Sequence, residues 1–230
     1  MIERLVPAGP HHRVQIRCTS RVDGDFHPDR PTGALSARRA LVAPGEWTWL
    51  RQVHGADVVS VTRRGDRAGA TGDAIVTTTE GAVLAIQTAD CAPVVLVGDG
   101  ALAVVHAGWR GIVAGVIPSA LDALRCRTDS DIHAYLGPCI GASAYEFGRR
   151  DLELVEAAVG APVGSRTRAG RPSLDLAAAV RAQCRSGGVA TFDDLPVAGC
   201  RPDTSGEGWF SHRTRGDTER QATVAWLEPA

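Results

Sequence analysis

Three residues with metal-binding side chains stand at the ends of β-type runs or in the turns just beyond them. His54 follows Arg51-Gln52-Val53 and precedes Gly55. Cys91 lies in Thr88-Ala89-Asp90-Cys91-Ala92-Pro93, between two apolar runs. His106 closes the run Val104-Val105 and precedes Ala107-Gly108-Trp109-Arg110-Gly111. Rigid scaffolds commonly present reactive groups at such strand ends. Two imidazoles and one thiolate suit zinc by softness and geometry, and three protein ligands leave the fourth tetrahedral position open for a reactant. Zinc held this way would lower the pKa of a bound water toward ~7. The separations, 37 residues from His54 to Cys91 and 15 from Cys91 to His106, specify little on their own. A core or surface role stays open for each histidine. So does a metal-free Cys/His hydrolase, with Cys91 as nucleophile and His106 as base acting on an amide.

The elements that must bring these residues together are short. Short β-type runs separated by Gly/Asp turns predict strands over 14–18, 47–53, 58–62, 74–78, 83–88, 93–97 and 102–106. A period of 3.6 predicts a helix over 112–125, kinked or started late by Pro118. An Ala-rich helix is predicted over 174–185, stopped by Gly187-Gly188, and a shorter one over 150–159. The Pro/Gly/Arg-rich stretches 23–36 and 161–172 read as loops, too short to link domains. The expected architecture is one α/β domain over residues 1–230 with mixed β-sheets.

Composition narrows the function classes. With 44% hydrophobic residues among 230, a sizeable core is available. The net charge of −1 provides no global field for nucleic acid or an anionic membrane, and no apolar run is long enough to span a bilayer. The N-terminal stretch lacks the pattern of a signal peptide, so the expected compartment is the cytoplasm. All 25 basic residues are Arg. Lysine-based covalent or base chemistry is thereby excluded, and any phosphate falls to Arg, His or backbone N–H groups. The six cysteines, Cys18, Cys91, Cys126, Cys139, Cys184 and Cys200, form no dense framework and no CxxC pair.

Five stretches together resemble the laccase-domain (YfiH-type) family of purine nucleoside enzymes. They are RQVHGADVV (51–59), TADCAPVVL (88–96), VVHAGWRG (104–111), LGPCIGASAYEFG (136–148) and a C-terminal C-x9-FSHR-x8-A-x-V-A-W-L from Cys200 to Leu227. The resemblance implies zinc on His54, Cys91 and His106, with copper as the alternative ion. It implies phosphorolysis of adenosine, inosine and methylthioadenosine to the free base plus ribose 1-phosphate (or its methylthio counterpart), together with hydrolytic deamination of adenosine. It also implies a four-layer α-β-β-α fold with two central sheets. The family's laccase-type name carries a competing reading, a copper polyphenol oxidase. That chemistry needs several copper centres held by many His-x-His pairs, whereas this chain has seven His and only the adjacent pair His11-His12. The family's usual Ser-Leu-Asn segment is missing near the N-terminus, where this chain reads Cys18-Thr19-Ser20-Arg21-Val22-Asp23-Gly24-Asp25-Phe26.

Roles for further residues follow from the implied reactions. Asp90, beside the thiolate, is a candidate proton relay for deamination or a group that orients a histidine ligand. Phosphorolysis needs an anion clamp near the sugar, for which Arg110 is the first candidate and Arg51, Arg213 and Arg21 the others. Cys139 either lines the pocket or packs in its turn, and Tyr145 and Phe147 either stack on a purine or fill the core. Trp109 is expected to support the loop after His106. The expected partners are purine nucleosides and inorganic phosphate, with a homodimer as the assembly considered.

Overall fold

The computed structural model describes residues 1–195 and 203–230. Cys200, which opens the C-terminal motif, lies outside the described residues. The chain begins with β1 (Ile2–Pro7), β2 (His12–Cys18), a 3-10 turn (Arg21–Asp23) and α1 (Thr32–Val42). There follow β3 (Trp47–Arg51), β4 (Val58–Val61), β5 (Ala70–Thr71), β6 (Ala74–Thr77), β7 (Val83–Thr88), β8 (Ala92–Gly98) and β9 (Ala101–Ala107). Next come α2 (Trp109–Ala114), α3 (Val116–Arg125), β10 (His133–Leu136) and α4 (Arg149–Val159). The last elements are β11 (Gly164–Arg166), β12 (Pro172–Leu174), α5 (Leu176–Ser186), β13 (Thr191–Asp194), α6 (His212–Arg215) and β14 (Gln221–Pro229).

Two six-stranded sheets result, one ordered β1-β2-β14-β7-β3-β5 and the other β13-β10-β8-β9-β6-β4. Both are mixed: β3 runs parallel to β7 while β14 runs antiparallel to it, and β10 is parallel to β13 and antiparallel to β8. Strand alternation sorts the apolar residues into three cores. In β8, Ala92, Val94 and Leu96 pack beneath Ile117, Leu121 and Leu124 of α3. Val95 and Val97, on the other face of β8, meet Leu84, Ile86 and Ile16 of the opposite sheet. Outside that sheet, Val83, Ala85 and Trp226 pack against Phe26 and against Leu35 and Val42 of α1. The layers are therefore α1, sheet, sheet and the α2–α5 group, the expected α-β-β-α order. Because β8 is covered on both faces, its sequence is a continuous apolar run rather than an alternating one.

The local reading needs correction in places. The predicted helix over 112–125 is divided at Gly115, in the left-handed region at φ 86°. Of the two expectations for Pro118 the late start therefore holds, with α3 beginning at Val116, and the kink does not. Pro118 sits in the first turn of α3, where a missing N–H costs no intrahelical bond. The supposed loop 23–36 contains the start of α1, and the supposed loop 161–172 contains most of the small β11–β12 hairpin. Among the described residues, no helix is long and apolar enough to cross a membrane.

Candidate metal centre

The β8–β9 hairpin sets the first two ligands side by side. Its register pairs Ala92 with Ala107 and Pro93 with His106, so Cys91 and Gly108 are the next residues out at the same end. His54 arrives from the turn after β3, in the left-handed conformation at φ 59°. The three side chains meet: the ligand atoms of His54, Cys91 and His106 all lie within 4.8 Å of one another. His54 Nε2 is 3.7 Å from Cys91 Sγ, and the two imidazole rings stand edge to face with centroids 4.8 Å apart. Zn–N and Zn–S bonds about a tetrahedral ion hold their ligand atoms roughly 3.3–3.8 Å apart. The His54–Cys91 pair stands at that spacing, and two imidazoles with one thiolate are a donor set that suits such an ion. Gly108 is required for this convergence, because a Cβ there would stand 2.6 Å from His54 Cδ2 and 3.0 Å from Cys91 Sγ.

One carboxylate that sequence reasoning missed organises the centre. Asp73, fully buried just before β6, accepts from His106 Nδ1 at 2.8 Å and from the His54 backbone N–H at 2.9 Å through Oδ1. Its Oδ2 accepts from the N–H groups of Val53 and Gly55. With Nδ1 taken, His106 presents Nε2 to the centre, and the turn that carries His54 is pinned by three backbone bonds to the same group. Burial alone would raise the Asp73 carboxyl, but these bonds outweigh it and hold it below the usual range. No periodicity marks Gly72-Asp73-Ala74. Only the β6–β9 pairing of Ala74 with Val105 puts Asp73 beside His106.

The electrostatics separate Cys91 from the other thiols. Burial raises the Cys91 thiol, yet the His106 charge and the hydrogen bonds of both histidines outweigh it and hold it at about 6. Burial disfavours the His106 cation, but the Cys91 thiolate and Asp73 together raise it to about 9. Without an ion the site is a thiolate–imidazolium pair, so a metal binding there displaces a proton. Burial pushes Cys18 and Cys184 up to about 12, where they are inert.

Above the centre opens a cavity of about 730 Å³, lined by all three ligands and by Arg51, Arg110, Arg213, Arg220, Tyr145 and Trp109 among others. The Arg110 guanidinium lies over the Trp109 ring, and that of Arg213 over Tyr145, with centroid distances of 4.3 and 4.9 Å. Arg21 is not part of this lining. It pairs with Asp217, lies over Phe210 and holds the C-terminal segment instead. Cys139 and Phe147 belong to the helix-side core, and Phe147 supports Trp109 edge-on at 5.4 Å. Asp90 lines the cavity at φ 101°, with its carboxylate accepting from Thr204 Oγ1, Ser211 Oγ and the Arg213 N–H. It thus ties the C-terminal segment to the Cys91 turn, while the carboxylate that orients a histidine ligand is Asp73. The cavity also takes in His27, Trp49, Gln52, Gln87 and His212, none of which the sequence singled out.

Fold and site together define a four-layer α/β protein with a three-ligand centre open on one side. A family model described as multi-copper polyphenol oxidoreductase laccase matches residues 30–228, and the chain belongs to that family. It is 38% identical to a purine nucleoside phosphorylase of Streptomyces coelicolor over 208 residues, covering 85% of this chain and 84% of the relative. It is 32% identical to the purine nucleoside phosphorylase YfiH of Escherichia coli, covering 99% of this chain and 100% of the relative. The crystal structure of NMB0706 from Neisseria meningitidis superposes with a TM-score of 0.79 at 24% identity, covering 99% and 100% of the two chains. That of YlmD from Geobacillus stearothermophilus gives 0.78 at 25% identity, covering 96% and 93%.

Proposed function

We propose that residues 1–230 form one zinc-dependent purine nucleoside phosphorylase domain. It acts on adenosine, inosine and methylthioadenosine and also deaminates adenosine. The observation that carries this reading is the joining of a His54/Cys91/His106 centre to a nucleoside-sized cavity lined by four arginines, Arg51, Arg110, Arg213 and Arg220. The names of its relatives support the substrate class.

In phosphorolysis a phosphate oxygen bonds C1′ while the C1′–N9 bond breaks, its electron pair leaving on the base, which takes up a proton. Arg51, Arg110 and Arg213 supply fixed charge and paired donors for the phosphate. Stacking on Trp109 and Tyr145 limits how far two of these guanidiniums swing. In deamination, water adds at C6 and ammonia leaves. A zinc ion on His54, Cys91 and His106 would supply Lewis acidity and activate water at neutral pH. Asp73 fixes the His106 tautomer, and Asp90 sets the position of the Arg213 backbone at the cavity wall. The catalytic assignments are Cys91 and His106 as ligands and Asp90 as the candidate relay; free thiols at Cys91 and Cys184 accord with a reducing cytoplasm.

The family description names multi-copper oxidation, which needs several copper centres. Among the described residues, the three-ligand group is the single His/Cys/Asp/Glu cluster with metal-binding spacing, and this favours one zinc. Product analysis on adenosine tests the proposal. Adenine and ribose 1-phosphate should form only when phosphate is present, and inosine should form with or without it. Neither product at any phosphate concentration would refute the activity.

A further inference from the structure

Two buried polar side chains in the cavity wall, Gln87 and Thr88, have no hydrogen-bond partner, and of the two Gln87 carries both a donor and an acceptor group. Gln87 lines the cavity and is 4% exposed, and neither its Nε2 nor its Oε1 has a hydrogen-bond partner. Its backbone is, by contrast, firmly held. The Gln87 N–H donates to Gln52 Oε1 at 2.9 Å, and its carbonyl accepts from Gln52 Nε2 at 2.7 Å. The β3–β7 ladder ends at the pair Trp49 and Ala85, and the Gln52 side chain bonds the β7 backbone two residues further on, at Gln87. Gln52 is therefore pinned at both ends of its amide, while the amide it positions is left unclaimed. Interior polar groups of native proteins are nearly always paired, so a buried carboxamide without a protein partner in the wall of a cavity marks a place for a ligand's polar edge.

We propose that Gln87 reads the N1 and 6-position edge of the purine base and accepts 6-amino and 6-oxo purines alike by turning its carboxamide over. The inference rests on the nucleoside reading above and names the group that sets its base range. Adenine presents the acceptor N1 beside a donor amino group, whereas hypoxanthine presents an acceptor oxygen beside a donor N1–H. A carboxamide carries one acceptor oxygen and one donor NH₂, so one orientation matches each base. A side chain fixed by protein donors, as Gln52 is, has lost that choice. Gln87 keeps it. Its location suits the role, because Cys91 lies four positions further along the chain, a span of at most about 14 Å. Gln87 and the metal ligands line one cavity, to whose wall Trp49 and His27 also belong.

The test compares adenine, hypoxanthine and unsubstituted purine as ligands of the zinc-loaded protein by calorimetry, alongside turnover of adenosine, inosine and purine riboside. Wild type should bind adenine and hypoxanthine about 10- to 100-fold more tightly than purine. Gln87→Leu, with zinc content and melting unchanged, should bind all three within about threefold of one another. The proposal is overturned if wild type does not distinguish adenine from purine, a result that needs no variant. It is equally overturned if Gln87→Leu keeps the wild-type preference, or if no base binds. Selective base binding without formation of ribose 1-phosphate or inosine would leave the base-reading role standing and remove the proposed activity.

Discussion

Asp73 shows what a single buried carboxylate does when four donors converge on it. It takes one side-chain and three backbone N–H groups from two segments 33 positions apart between Asp73 and His106 and about 20 between Asp73 and the His54 turn. Replacing it by Asn keeps the shape but removes the charge and one acceptor, so at least one of those buried donors loses its partner. Asp73→Asn should remain folded and bind zinc about 10- to 100-fold more weakly, as measured by competition with a chelating dye. Unchanged affinity would mean that the aspartate is structural only. At this scale the sequence was informative where chemical identity carries the role. His54, Cys91 and His106 stand out as soft ligands in turn-rich motifs, and they do meet. Asp73 and Gln87 did not stand out, because an Asp or Gln in a strand-rich chain acquires its role only from what the sheet pairs it with.

The elements explain both the successes and the misses of the sequence reading. Strands β6 to β9 carry strong apolar patterns and were found within a residue or two, which placed Cys91 and His106 at one sheet end. Helix α1 escaped because it buries only Leu35 and Val42 in an Arg- and Ala-rich stretch, giving no period to detect. The C-terminal motif forms β14, which joins β2 to β7, a pairing that no local pattern in the sequence specifies. The segment leading into α1 is held by Asp25, which accepts from the His27 and Arg220 N–H groups and from the Arg30 guanidinium. Partial burial raises the Asp25 carboxyl, but these bonds prevail and hold it below its usual value. A carboxylate depressed in this way stabilises the fold above its unfolded value of ~3.9, and the contribution is lost as pH falls through the lower folded value. Asp25→Asn should therefore be less stable than wild type at pH 7 in urea unfolding. The gap should close as both proteins are taken below about pH 4. A gap that persists undiminished at low pH would assign the effect to packing, not charge.

For the molecule as a whole, stability and chemistry reside in different places. Three separate apolar clusters hold the four layers together, and each fully buried Val, Leu or Ile contributes roughly 1.5–3 kcal/mol. The centre sits at the rim of this stack, with His54 exposed and Cys91 half-buried. On the proposed function, an ion there serves the reaction more than the folding. Cys91→Ala should keep the wild-type circular dichroism spectrum and cooperative melting while losing zinc and falling to background in both phosphorolysis and deamination. Loss of the fold on this substitution would recast the centre as a structural site. The four-layer order itself was legible only through the family motifs, since periodicity predicts strands but not which sheet each one joins.

The central claim is that two imidazole nitrogens and one sulfur hold a single ion. X-ray absorption at the metal edge, on protein purified without added copper and with its metal content quantified, tests it directly. One zinc per chain is predicted, with a single sulfur neighbour near ~2.3 Å and nitrogen or oxygen neighbours near ~2.0–2.1 Å. A shell without sulfur, or several copper ions per chain, would contradict it.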